Sequence, residues 1–296
     1  MHNRIFKIRK SIATTQPKPR VSIVMPVYFQ NQAYLRRALQ SCFHEEDLAC
    51  VDVEVLLVVD DGQDYSDYDT DERIKILTTG GVGVGPSRAR NVALNAATGD
   101  LVALLDSDDY FLPGKLAELA PKALQYGIAY DNLRIDLGGD DPQQSTLAGA
   151  RESGVQAMAF FLALNNPLSG IYRRDVLGPT RFLDDVRFSE DSAFNYEVLA
   201  RNDGIAYFDA QPRHVYVIHD ASLSHQDDGV QLAEVNYARI VEHFKRVPGI
   251  EDARRTDILE RYAMKRDLNL RFGAWLGLPG NGSRTFQEFL QSPSGA

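Results

Sequence analysis

Three carboxylates follow a short apolar segment in the first half of the chain. Residues 101–105, LVALL, run directly into Asp106, Asp108 and Asp109. Carboxylates this close repel one another, so a compensating positive group is expected. A divalent cation held by one or two carboxylates and by substrate phosphates would supply that charge. An EF-hand is excluded because Phe111 stands at the sixth position, where that loop needs glycine. Capping of the next helix by these aspartates is the structural alternative.

Two further acidic pairs stand at the ends of other predicted elements. Asp60 and Asp61 close the apolar segment 53–59, and Glu190 and Asp191 fall in the first turn of a predicted helix. A helix N-terminus favours the ionised carboxylate, and a general base must be ionised to accept a proton. The second pair is therefore a candidate general base, although two acids in a first turn also stabilise the helix dipole without any catalytic role.

A glycine-rich segment and two histidines are further candidates. The segment GGVGVGPSRARN, residues 80–91, lacks the Gly-Lys-Ser/Thr of a P-loop. It leads into a predicted helix whose N-terminus can receive anionic groups. Arg88 and Arg90 lie there, although each could be only a surface charge. His219 and His225 could be ligands, but a lone histidine is more often structural.

Strand and helix patterns alternate up to about residue 110. The segments 53–59 and 101–105 are apolar on both faces, which is typical of a parallel sheet covered by helices. Ligands of open α/β sheets bind outside the carboxyl ends of the strands, so the two acidic clusters there are expected to face one crevice. The predicted elements of this half are strands 21–27, 53–59, 73–77 and 101–105 and helices 33–43 and 87–97.

Beyond residue 110 the patterns predict more helix than strand. Pro113 is expected in the first turn of a helix, and Ser189 is expected to cap another. The predicted helices are 112–125, 151–164, 188–201 and those from 228 onward, interrupted by a loop at 277–284; extended segments are predicted at 128–136, within 167–177 and at 205–219, with a loop at 138–149.

Composition limits the possible partners. The chain of 296 residues has a formal net charge of -9, which argues against sequence-independent nucleic-acid binding. The sequence has no apolar run of the ~20 residues that span a bilayer. The basic segment MHNRIFKIRK could touch an anionic membrane surface or be a solvated tail. Cys42 and Cys50 match no metal or redox spacing, so both are expected to be reduced, in the cytosol.

Taken in order, these segments resemble the family-2 glycosyltransferases of the GT-A fold. The resemblance covers residues 21–225 and is strongest up to residue 113. Phe29 stands where the family usually has Asn, Gln63 replaces a Ser, and His219 falls where Arg is common. The matching motifs are Pro26-Val27-Tyr28, Asp60-Asp61-Gly62, Ala89-Arg90-Asn91, Asp106-Ser107-Asp108, Glu190-Asp191 and a closing segment with Tyr216 and Ser222-Leu223-Ser224.

The resemblance implies a nucleotide-sugar site at the carboxyl ends of the strands. Tyr28 would pack against the base, and Asp61 would accept a hydrogen bond from it. Asp106 would contact the ribose and the sugar. The residues implied to bind the nucleotide-sugar are Pro26, Tyr28, Asp60, Asp61, Arg90, Asp106, Ser107 and Asp108.

The resemblance also implies a divalent cofactor, Mn²⁺ or Mg²⁺. Asp108 would ligate it, with Asp106 and His219 as further candidate ligands. Asp191 would deprotonate the acceptor hydroxyl. That hydroxyl would attack the anomeric carbon from the face opposite the diphosphate, and a single displacement inverts its configuration.

The sequence thus predicts an inverting, metal-dependent glycosyltransferase. It would move a sugar from a nucleotide-diphospho-sugar, a UDP-sugar by resemblance, to a hydroxyl of a saccharide or glycolipid. Two alternatives stay open at this point. One is a nucleotidyltransferase, which is disfavoured because the first loop, PVYFQNQAY, has no Gly, Lys or Arg to grip a triphosphate. The other is a non-catalytic module that binds a sugar or a partner.

The predicted fold is a mostly parallel central sheet flanked by helices, with a helical C-terminal extension. Residues 1–20 would be a lead-in, 21–225 the catalytic domain and 226–296 the extension. Within the catalytic domain, 21–109 would bind the nucleotide and 110–225 the acceptor. The predicted location is cytoplasmic, with peripheral contact at the inner face of the membrane, and the C-terminal helices could form a homodimer face.

Overall fold

The computed structural model describes residues 17–136, 152–164, 167–218, 229–281, 289 and 292. Strands and helices alternate along the first half, as predicted. The strands are β1 (Arg20–Val27), β2 (Asp52–Val59), β3 (Ile74–Thr78), β4 (Leu101–Leu104), β5 (Tyr110–Phe111), β6 (Ile128–Asp136), β7 (Gly154–Ala157), β8 (Ile171–Arg173) and β9 (Ile205–Val217). The helices are α1 (Gln32–Ser41), α2 (Glu45–Cys50), α3 (Pro86–Ala96), α4 (Lys115–Tyr126), α5 (Met158–Ala163), α6 (Arg174–Leu177), α7 (Glu190–Arg201), α8 (Gly229–Arg246) and α9 (Asp252–Leu276).

The nine strands in the described residues form one mixed sheet. Its order is β3-β2-β1-β4-β8-β6-β9-β5, and β7 pairs with β9 outside this path. Strands β1 to β4, β6 and β9 point the same way, whereas β5, β7 and β8 run against them. The sheet is therefore mostly parallel, which confirms the prediction.

The sheet is covered on both faces. Alternate residues of β1 and β2 pack against α1 and α4 on one face and against α3 and α7 on the other. All four residues of β4 are buried, as expected for a strand between two helical layers. A third apolar cluster joins α5 and α7 to the C-terminal helices α8 and α9, so these helices pack directly against the helix that begins with Glu190 and Asp191.

Three local predictions need correction. Residues 154–157 form a strand, not the start of a helix, because Gly154–Ala157 pair antiparallel with Phe208 to Ile205 of the long strand β9. Helix α4 begins at Lys115, because Gly114 adopts a left-handed conformation (φ 82°) that leaves Pro113 outside the helix. Ser189 does occupy the N-cap position of α7, but its side chain does not cap the helix.

Two further observations concern the described helices and the cysteines. No helix among the described residues is long and apolar enough to cross a membrane. Both thiols are free, with Cys42 buried and Cys50 exposed. The predicted loop at 138–149 lies outside the described residues.

Candidate active site

The carboxyl ends of three parallel strands bring the predicted site residues together. Strand β1 lies between β2 and β4, with Val27 opposite Val59 and Val24 opposite Leu104. The segments that follow these strands therefore leave the sheet at the same edge. They carry Tyr28 after β1, the Asp60-Asp61 pair after β2 and the DSDD loop after β4. We define the DSDD loop as residues 106–109.

Asp61 fixes the turn after β1. Its carboxylate accepts hydrogen bonds from the backbone N–H of Phe29 at 2.6 Å, from that of Gln63 at 2.9 Å and from the Tyr65 hydroxyl at 2.7 Å. Asp61 is buried. A carboxylate has about four acceptor positions, so one remains to accept a further hydrogen bond.

Tyr28 offers a flat surface beside this carboxylate. Its side chain is 54% exposed, although it is large and mostly apolar. A Cβ added at Gly83 would lie 3.5 Å from the Tyr28 hydroxyl, so the glycine-rich loop passes close to the ring. Pro26, in strand β1, is partly buried opposite Val58. The ring of Phe29 packs edge-on against that of Tyr28, with centres 4.8 Å apart, and an aromatic ring as exposed as Tyr28 can stack against a planar ligand.

The backbone conformation of Phe29 suits Asn, the residue usual at this position in the family that the sequence resembles. Its φ is 44°, a left-handed conformation that is uncommon for bulky residues and several-fold more common for Asn. We expect Phe29→Asn to raise the free energy of unfolding by about 1 kcal/mol, because it relieves backbone strain. Urea unfolding would measure this. Phe29→Leu is the matched control, since it removes the ring without relieving the strain; equal effects of both variants would contradict the role of strain.

Asp60 shapes the glycine-rich loop. Its carboxylate accepts hydrogen bonds from Thr79 Oγ1 at 2.6 Å and from the backbone N–H groups of Val84 at 3.1 Å and Gly85 at 2.8 Å. Its carbonyl accepts from the N–H of Gly83 at 2.7 Å. Asp60 is buried. These contacts make it a support for the loop, and direct contact with a nucleotide stays a prediction.

Arg90 joins the DSDD loop to the start of α7. Its guanidinium donates to Asp106 at 2.6 Å and to Glu190 at 3.2 Å, and it lies 5.2 Å from the ring centre of Phe182. Burial alone would lower the pKa of Arg90, but the nearby carboxylates raise it above its usual value. Burial, and then repulsion by Asp191, raises the pKa of Glu190.

The three carboxylates of the DSDD loop have different surroundings. Asp106 is 42% exposed and pairs with Arg90. Asp109 is buried and anchors the loop to β9, because its carboxylate contacts His214 Nε2 at 3.0 Å and accepts from the Val217 N–H at 2.9 Å. Burial raises the pKa of Asp109 well above its usual value and lowers that of His214 to about 4. Repulsion by Asp108 and Asp106 adds to the rise in the pKa of Asp109, and both directions favour the uncharged forms.

Asp108 is partly exposed, and its backbone is held from α1. The Arg37 guanidinium donates to the Asp108 carbonyl at 3.4 Å and lies 4.2 Å from the ring centre of Tyr110. It also lies 3.5 Å from a carboxylate oxygen of Asp136. Ser107, by contrast, is buried.

Asp191 lies at the start of α7, and its carbonyl accepts from the Asn195 side chain at 2.8 Å. The same amide donates to Leu168, and its oxygen accepts from the hydroxyls of Tyr130 and Tyr172. This network fixes the first turns of α7. Asp191 is partly exposed.

The closing segment is only partly within the described residues. Tyr216 is described, and burial together with the nearby aspartates raises its pKa to about 12. His219, His225 and Ser222-Leu223-Ser224 lie outside the described residues. Sequence reasoning missed Arg37 and His214, because each meets its partner across a long stretch of chain.

The acidic residues fit a divalent ion that is shared with a ligand. Within the described ranges, no group of three or more His, Cys, Asp or Glu side chains could hold a metal ion by itself. Mg²⁺ is usually bound by one or two carboxylates together with substrate phosphates. Asp108 and Asp106 are hard oxygen donors on a partly exposed loop, so the donor set suits that mode of binding.

Known relatives share parts of this sequence. The chain is 25% identical over 176 residues to a Campylobacter jejuni GalNAc(5)-diNAcBac-PP-undecaprenol beta-1,3-glucosyltransferase, covering 56% of this chain and 56% of that protein. It is 34% identical over 114 residues to the Escherichia coli UDP-Glc:alpha-D-GlcNAc-diphosphoundecaprenol beta-1,3-glucosyltransferase WfgD, covering 37% of this chain and 43% of that protein. The chain thus spans about half the length of these curated relatives.

Solved structures share the fold. The S. aureus TarS 1-349 structure has a TM-score of 0.61 at 19% identity, covering 88% of this chain and 75% of that one. Its complex with UDP-GlcNAc has a TM-score of 0.59, covering 82% and 71%. This likeness confirms the predicted GT-A fold. Residues 22–177, more than half of the chain, match the model of Glycosyl transferase family 2, and the chain therefore belongs to that family.

Proposed function

We propose that this protein is an inverting glycosyltransferase that moves a sugar from a UDP-sugar to a hydroxyl of a saccharide or lipid-linked saccharide. The observation that carries the proposal is the bridge that Arg90 forms between Asp106 and Glu190. The bridge brings the DSDD loop beside Glu190, the residue that precedes the predicted base Asp191. The names of the Campylobacter and Escherichia coli relatives describe sugar transfer to undecaprenol-linked saccharides, and TarS 1-349 forms a complex with UDP-GlcNAc.

The donor would bind across the ends of β1, β2 and β4. Tyr28 would stack on the base, and the remaining acceptor position of Asp61 would receive a base N–H. Pro26 would border the same face. Asp106 and Ser107 would contact the ribose and sugar.

Asp108 and Asp106 would hold the divalent ion, Mn²⁺ or Mg²⁺. The bound ion would supply positive charge that stabilises the departing diphosphate. The contact predicted for His219 stays a prediction. So does direct contact between Arg90 and the nucleotide, since its guanidinium already holds two carboxylates.

Asp191 would act as the general base. A hydroxyl is a weak nucleophile until a positioned base takes its proton. The Asp191 carboxylate would accept that proton while the hydroxyl oxygen bonds to the anomeric carbon and the bond to the diphosphate breaks. One displacement from the opposite face inverts the anomeric configuration.

The acceptor class suggests where the protein works. A lipid-linked acceptor would bring it to the inner face of the membrane from the cytoplasm, with peripheral contact. A homodimer through the C-terminal helices stays a prediction.

Thermal stability with and without Mn²⁺ tests the donor site. A nucleoside diphosphate or UDP-sugar at about 100 times its Kd should raise the free energy of unfolding by about 2.7 kcal/mol. We expect UDP-sugar plus Mn²⁺ to give the largest shift, and Asp108→Asn to lose the part that depends on metal. Asp203→Asn, at the far end of α7, where the side chain is 89% exposed, is the control. No shift with any nucleotide would contradict the proposal and favour the binding-module alternative.

A further inference from the structure

A lysine of the C-terminal helix α9 reaches the start of α7. Lys265 Nζ donates to Ser189 Oγ at 3.2 Å. The same ammonium lies 5.6 Å from the ring centre of Tyr196 and 5.3 Å from that of Tyr262. Lys265 lies outside residues 22–177, the part of the chain that matches the family model. Ser189 lies outside that part of the chain as well, so the match to the family model does not cover this contact.

The two helices are held in a defined relation by apolar packing. Tyr196 of α7 and Tyr262 of α9 belong to the same buried cluster, with ring centres 6.0 Å apart. Tyr237 of α8 lies 5.7 Å from Tyr262 in the same cluster. Because these rings pack together, the position of Lys265 relative to α7 is set by the core and not by a surface contact alone.

Ser189 has an unusual backbone conformation at the point that Lys265 contacts. Its φ is 63° and its ψ is 21°, in the left-handed region that L-residues other than Asn and Gly rarely adopt. Such strained conformations persist where surrounding contacts enforce them. Since Glu190 and Asp191 follow directly, the backbone at Ser189 sets the direction in which their side chains leave the helix.

The charges around Lys265 favour interaction with Asp191. Burial, the largest cause, and repulsion by Arg261 lower the pKa of Lys265 to about 8, whereas attraction by Asp191 opposes this shift. Other titratable groups also face this part of the site. Those around Lys265 are Tyr196 of α7, Tyr237 of α8 and Arg261 and Tyr262 of α9. Those on the other side of Asp191 are Glu190, Arg90, Asp106, Tyr172 and Tyr216.

We propose that Lys265 is a positioning residue for Asp191. Through its contact with Ser189, Lys265 orients the start of α7, and its positive charge balances the charge of the base. The proposal rests on the proposed function, because it assigns Asp191 the role of base. The C-terminal helices α8 and α9 would then help to form the part of the site that holds the proposed base. Loss of the Lys265 proton should weaken both effects, so activity should fall as the pH rises through the pKa of Lys265.

The test compares Lys265→Met and Lys265→Arg by pH profiles of kcat/KM for sugar transfer. We expect Lys265→Met to lower kcat by about 10- to 100-fold, since small displacements of a catalytic group have effects of that size. Its acidic limb should move to higher pH, because the Lys265 cation no longer favours the ionised carboxylate. The wild type should lose activity above about pH 8. Lys265→Arg should retain activity there, because arginine stays protonated.

Arg266→Met is the matched control. It removes one positive charge from the neighbouring position, where Arg266 pairs with Glu234 of α8 and not with α7. Unchanged transfer and an unchanged pH profile in Lys265→Met, with Asp191→Asn inactive, would overturn the role of Lys265 alone. A shift equal to that of Arg266→Met would also overturn it, since the effect would then come from net charge. Transfer that survives in Asp191→Asn would overturn the proposed base and this inference together.

Discussion

Asp191→Asn should lower the rate of sugar transfer by about 10²–10⁴-fold, the usual contribution of a positioned general base. Asparagine keeps the shape of the side chain but cannot accept the proton from the acceptor hydroxyl. The hydrogen bond from Asn195 goes to the backbone carbonyl of Asp191, so the helix start should be preserved. The effect is measured as the rate of transfer from UDP-sugar to a saccharide acceptor, with the released nucleoside diphosphate as the readout. Donor binding, followed by thermal shift, should match the wild type.

Two control variants distinguish a general base at Asp191 from a general effect of lost charge and from a base at Glu190. Asp203→Asn makes the same chemical change on an exposed side chain just after the same helix and should leave transfer unchanged. Glu190→Gln tests the neighbouring acid, which pairs with Arg90. Full activity in Asp191→Asn combined with inactive Glu190→Gln would show that the base is Glu190 and that our assignment is wrong.

Lys115→Met should lower the free energy of unfolding by about 3–5 kcal/mol. Lys115 of α4 and Asp131 of β6 form an ion pair in which the two side chains are 1% and 0% exposed. The other carboxylate oxygen of Asp131 accepts a hydrogen bond from the backbone N–H of Arg213 at 2.9 Å. Removing the ammonium leaves a carboxylate that water cannot reach, which is the reason for the large effect. Urea unfolding followed by circular dichroism would measure it.

The matched control is an exposed pair of the same kind. Lys245 and Glu242 are about half exposed, and an exposed ion pair contributes about 0–1 kcal/mol. Lys245→Met should therefore change stability little. The double variant Lys115→Met with Asp131→Leu should recover much of the loss, since an apolar pair can replace a buried ion pair. A small effect of Lys115→Met alone would contradict the cost assigned to the unpaired carboxylate.

The order of most elements could be predicted because they depend on local patterns, whereas the short α2 and β5 were not predicted. The segments that became β2 and β4 are apolar at nearly every position, and this is how a strand covered on both faces is recognised. Their last residues lead into Asp60 and Asp106, so the edge where the site forms was also predictable. The strand at 154–157 was missed because its pairing with β9, about 50 residues later, cannot be detected from its own residues.

Roles within the site were harder to predict, because they depend on partners far away in sequence. Asp109 follows the proposed metal ligand directly, yet it contacts His214 on β9 and anchors the loop. Arg90 was expected to reach the nucleotide, and it bridges Asp106 and Glu190. Ser189 was expected to cap α7, and it accepts a hydrogen bond from Lys265.

The family, the mostly parallel sheet and the acidic residues at the ends of its strands could be inferred without the fold. They follow from short motifs and from the period of apolar residues, which act over a few positions. How the crowded carboxylates are compensated depends on contacts between distant segments. Arg90 pairs with Asp106, and burial beside His214 favours the uncharged form of Asp109. Arg90 and His214 are distant in sequence from these aspartates. Apolar packing of the fold brings them into contact, and no local sequence pattern predicts it.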